Sequence, residues 1–81
     1  MDLGIYKIRK GLKLLIEGII EDNLENKDDL DIPEVRRIVG MHNEEIAEYL
    51  RIAKDRYNLS EEELHPLKIK YATMKTSLNL T

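Results

Sequence analysis

Ile5, Ile8, Leu12, Leu15 and Ile19 recur at intervals of three, four, three and four residues, a set that an α-helix gathers onto one face. Ile16 and Ile20 flank this seam, and Asp2 can cap its start. The spacing predicts a helix over residues 3–22. Inside it, Gly4, Gly11 and Gly18 fall at every seventh position, each one residue before Ile5, Leu12 and Ile19. An interior glycine costs about 1 kcal/mol of helix stability relative to alanine, so a compensating gain is expected. A smooth edge that lets another helix approach closely supplies one. The occupant is either another helix of the same chain or a second copy. Charge favours a copy running antiparallel. Lys7, Lys10 and Lys13 precede Glu17 and Glu21, an order that opposes the helix macrodipole and that an antiparallel partner reverses. The candidate dimer or partner interface is Ile5, Ile8, Gly11, Leu12, Leu15, Gly18 and Ile19.

The acidic stretch "NLENKDDLD", residues 23–31, reads as a connecting loop. Asp31 as a cap, Pro33 in the first turn and Glu34 three residues after Asp31 announce a second helix. Gly40 is expected to end it in a left-handed stop, which makes it short, over 32–39. Asn43 caps a third helix over 43–58, in which Ile46, Leu50, Ala53 and Tyr57 share a face. Ser60 and Glu63 form a capping-box pair ahead of a C-terminal segment, 60–79. Pro66 predicts a kink or restart there. Leu67, Tyr71, Met74 and Leu78 fit a helix face, although "LKIKY" also alternates as a strand would. The expected fold class is all-α: one domain over 1–81, a small bundle of three to four helices, completed by homodimerisation through the long N-terminal helix.

Eighty-one residues suffice for one modest core. With four tyrosines and neither phenylalanine nor tryptophan, that core must be aliphatic. The absence of cysteine excludes disulfides, thiolate metal sites and cysteine nucleophiles. Lys13, Glu17 and Glu21 interrupt the N-terminal apolar run, which argues against a signal peptide or a membrane span. A cytoplasmic location is therefore expected, with no membrane partner. A net charge of −3 argues against a general nucleic-acid coat.

One constellation still points to DNA. In residues 33–50, Gly40 falls in a turn between Val35 and Val39 on one side and Ile46 on the other. This spacing resembles that of DNA-binding helix-turn-helix units. Two features depart from it. Arg36 stands where such units keep a small residue, and the would-be recognition helix opens with Asn43, Glu44, Glu45 and Glu48, which phosphates repel. The DNA-binding candidates are Arg36, Arg37, Asn43, Glu44, Ala47 and Arg51.

His42 with Glu45, and Glu62 with His65, stand three apart, a di-iron ligand spacing without the further inward glutamates such sites need. No phosphate-cradling loop and no partnered nucleophile are present. No catalytic residue, metal ligand or cofactor is therefore expected. The sequence reads best as a non-enzymatic small regulatory or adaptor protein that acts by protein–protein interaction on an unidentified partner, as a homodimer. The alternative is a helix-turn-helix DNA-binding transcriptional regulator.

Overall fold

The computed structural model describes residues 2–80. Three α-helices carry the described chain: α1, Leu3–Glu25; α2, Pro33–Asp55; and α3, Glu61–Ser77. A single 3₁₀ turn, Lys27–Asp29, lies in the first connection. Asn23 of α1 lies beside Val39 and His42 of α2, while Arg9 at the other end reaches the Asn58 carbonyl just past α2. The two helices therefore run antiparallel. Arg9 meets Glu63, Glu17 meets Lys70 and Asn23 meets Met74, so α3 runs parallel to α1. The bundle is up, down, up, with extents of 47 × 20 × 17 Å.

The largest departure from the sequence reading is α2. Residues 32–39 and 43–58 were expected as two helices around a turn at Gly40, yet one helix runs from Pro33 to Asp55. Gly40 does not take a positive φ, and Asn43, expected as a cap, sits mid-helix. The reason is continuity of burial. Val39, Ile46 and Ala53 are buried at intervals of seven, with half-buried Val35, His42, Tyr49 and Leu50 filling the same stripe. That stripe keeps its phase across Gly40, and tertiary packing outweighs one glycine's weak propensity. The left-handed residues lie instead at Asn58 and Asn79, with φ 60° and 56°. At Asn79 the N–H groups of Asn79 and Leu80 return to the carbonyls of Thr76 and Lys75, closing α3 in a Schellman motif.

The caps differ in part. Asp2 accepts from the N–H groups of Gly4 and Ile5 at the head of α1. Ser60 and Glu63 form a complete capping box. The cap of α2, however, is Ile32 with no side-chain bond, not Asp31, and Glu34 turns to Arg37. Pro33 at the first helical position does the ordering there. The segment 60–79 contains one unbroken helix through Pro66. So near the start of α3, the proline removes only the bond to the Glu62 carbonyl, at an exposed position that water can serve.

The core is aliphatic: Ile16, Ile20, Val39, Ile46, Ala53, Leu59, Leu64, Leu67, Met74 and Leu78. On α1 the buried row is Ile16, Ile20 and Asn23, so the helix is rotated from the expected seam. Ile5, Ile8 and Leu15 are left exposed by 42%, 42% and 45%. Leu12 and Ile19 pack at the core's edge.

Candidate functional site

The rotation of α1 builds an apolar face on the side of the bundle away from α3. Arg9, Lys13 and Glu17 lie on the flank of α1 that faces α3, held by Glu63 and Lys70 at 2.7, 3.3 and 3.4 Å. Ile8, Leu15, Ile19 and Asp22 lie on the opposite flank, where the Asp22 carboxylate stands 3.7 Å from His42 of α2. Helix α2 divides in the same way. Its Asn43 carbonyl accepts from the Tyr71 hydroxyl at 3.1 Å and Lys54 pairs with Glu61, both of α3. Ile38, Met41 and half-buried Ile52 occupy the far flank at helical spacing. Both aliphatic stripes therefore share one side of the molecule. Ile38 and Met41 are exposed by 37% and 49%.

Of the seven interface candidates, Ile8, Gly11, Leu15 and Gly18 are exposed on this side, Leu12 and Ile19 bridge it to the core, and Ile5 is exposed at the end of the bundle beside Asp2, Tyr6 and Arg9. The two glycines exclude one of the occupants considered for their groove, a helix of the same chain. A Cβ built on Gly11 or Gly18 would find nothing within 4 Å. Neither α2 nor α3 uses the smooth edge, so no close packing within the described chain offsets the glycines' cost. Gly4 is different: its N–H is bound by the Asp2 cap. Ile38 and Met41 are not among the sequence candidates because the expected stop at Gly40 puts Ile38 in one helix and Met41 outside it. The unbroken phase from Val35 to Ala53 was the signal that would have placed them.

Charges frame the face unevenly. Lys13 and Glu17, expected to meet a partner, are taken up by α3. Lys7, Lys10, Glu21 and Glu25 make no ion pair among the described residues. The four share the flank of α1 that borders the glycines on the side away from α2.

Beneath the face lies a small polar network. Asn23 is fully buried; its amide nitrogen donates to the Val39 carbonyl at 3.4 Å and points to Met74 Sδ at 3.6 Å. That orientation leaves Asn23 Oδ1 to accept from His42 Nδ1 at 2.9 Å, which fixes the proton on Nδ1. His42 is thus a structural hydrogen-bond donor joining α1 to α2. Among the described residues no three His, Asp or Glu side chains gather as a metal site would need.

The residues proposed for DNA sit on one uninterrupted helix, so the helix-turn-helix geometry is absent. Arg36, Arg37, Glu44, Ala47 and Arg51 are exposed on α2, and Asn43 turns toward α3. The arginines are engaged inside the chain. Arg36 donates to the Leu30 carbonyl at 3.0 Å, Arg37 pairs with Glu34, and Arg51 pairs with Glu48 and Asp55. The Arg37 guanidinium's hydrogen bond holds the Glu34 carboxyl below its ordinary range, and Arg51 does the same to Glu48. Around these three arginines stand four carboxylates, Glu34, Glu44, Glu48 and Asp55.

No helix among the described residues is long and apolar enough to cross a membrane. In comparisons with known proteins, no family model, no curated protein and no solved structure matches this chain.

Proposed function

We propose that this chain is a small, cytoplasmic, non-enzymatic regulatory or adaptor protein that works by protein–protein interaction and self-associates through α1. The observation that carries the reading is the open edge at Gly11 and Gly18, bordered by exposed Ile8 and Leu15. A domain of 81 residues has little apolar surface to spare. Placing several large aliphatics beside two helix-weakening glycines on a solvent face is costly unless that face is covered in use. The non-enzymatic reading is supported by where carboxylates between the helices go: half-buried Glu63 serves a cap and two cations, and Glu17 and exposed Glu61 serve lysines of the bundle. Sedimentation equilibrium over a wide concentration range tests the reading. A reversible dimer that Gly11→Leu abolishes supports it, and a wild-type chain that stays monomeric throughout overturns self-association.

A further inference from the structure

Resting on that reading, we propose an arrangement for the dimer: α1 packs antiparallel against α1 of a second copy, about a two-fold axis crossing between Gly11 and Gly18. Three features of the fold converge on this register. The first is shape. An antiparallel pair centred there sets Gly11 across from the partner's Gly18 and repeats the contact on the other side of the axis. The two smooth segments, open within the monomer, then face each other and let the backbones approach.

The second is charge. A two-fold axis perpendicular to the helices brings like flank against like flank. Lys7 comes level with the partner's Asp22, which sits on the other flank, and between the partner's Glu21 and the partner's Glu25 on its own; Lys10 lies one turn further in. These side chains, Asp22 apart, are the ones α1 leaves without an ion pair. A parallel copy in register would stack Lys7 on the partner's Lys7 and Glu21 on the partner's Glu21, a like-charge arrangement.

The third is the contribution of α2. Ile38 and Met41 flank Val39, which pairs with Asn23 near the C-terminal end of α1. The antiparallel register carries the partner's Ile8 to that end. Exposed aliphatics of one protomer then cover exposed aliphatics of the other, and a four-helix layer forms with each α3 on the outside. A bundle 47 Å long and 20 Å broad offers a side large enough for the roughly 800 Å² per partner that stable interfaces bury.

The chain contains no cysteine, so introduced thiols report on register without interference. Gly11→Cys and Gly18→Cys are purified separately, mixed and mildly oxidised. The expected product is the mixed 11–18 disulfide, formed faster than either self-cross-link. Preferential self-cross-linking of Gly11→Cys overturns the antiparallel register. Because thiols at the contact can loosen it, a charge exchange gives a second reading. Lys7→Glu alone and Glu21→Lys alone should each weaken dimerisation roughly fivefold, as two symmetry-related surface pairs are lost. The double variant, which restores both pairs with signs exchanged, should return to within about twofold of wild type. A double variant weaker than either single overturns the proposal. A dimer that fails both tests leaves self-association standing and removes this register. A monomeric wild type removes both.

Discussion

Two residues hold opposite lessons about polar and small side chains in a helix. Gly40 lies inside α2 with right-handed backbone geometry and open space around its missing Cβ. Gly40→Ala should therefore stabilise the fold by about 1 kcal/mol, read as a higher urea midpoint with an unchanged slope. Asn23 is the reverse case, a fully buried amide whose oxygen receives the His42 proton. Asn23→Ala should cost about 2 kcal/mol, through the cavity left and the unmet His42 donor, in the same denaturation assay. Gly11→Leu joins the two scales. It should raise monomer stability, since nothing stands within 4 Å, while abolishing the dimer. The opposite signs separate a folding defect from an interface defect. Loss of both stability and dimer would mean that Gly11 packs within the monomer.

The best-specified helix start is that of α3. Ser60 accepts from the Glu63 N–H at 3.1 Å and Glu63 returns the bond to the Ser60 N–H at 2.8 Å, while Arg9 and Lys13 clasp the same carboxylate from α1. The Ser60 backbone bond, aided by Lys13 and Arg9, holds the Glu63 carboxyl below the ordinary glutamate range of about 4.3. A carboxyl whose folded pKa is depressed adds stability above its unfolded pKa and loses it as pH falls through the folded one. Melting temperature should accordingly fall as acid is added below pH about 4.3. Glu63→Gln should flatten that slope and start from a lower value at neutral pH, and an unchanged acid profile would show that the clasp adds nothing. Ser60→Ala should cost about 1 kcal/mol in urea unfolding.

This start was legible because caps are local chemistry: a serine, a glutamate and a fixed spacing suffice. Helix α1 was legible in its start and most of its extent, although residues 23–25, expected in the acidic loop, continue it and bury Asn23. It was not legible in rotation. Its apolar residues cover more than half its circumference, so periodicity alone could not say whether Ile8 and Leu15 or Ile16 and Ile20 would be buried. That choice is made by what α2 and α3 present. The break at Gly40 was misread because a glycine between two short apolar runs looks like a stop, whereas the stripe Val35, Val39, Ile46, Ala53 passes through it in phase. The second half of the apolar face, Ile38 and Met41, was lost with that misreading.

At the scale of the molecule, three helices bury their aliphatics on one another and leave Ile8, Leu15, Ile38 and Met41 exposed on one side, with Leu3, Leu14 and Ile69 exposed elsewhere. Ion pairs join α3 to both other helices, and the α1–α2 contact is held by the Asn23–His42 network, so no unused intramolecular partner remains for the glycine edge. We propose that a second copy occupies it. The most direct measurement is sedimentation equilibrium of the wild-type chain beside Gly11→Leu, each confirmed folded by circular dichroism. The account predicts a wild-type mass that rises with concentration to twice the 9.5 kDa monomer, and a Gly11→Leu variant that remains at the monomer mass. A wild-type chain at the monomer mass across the whole range, or a Gly11→Leu variant that dimerises as well as wild type, would contradict it.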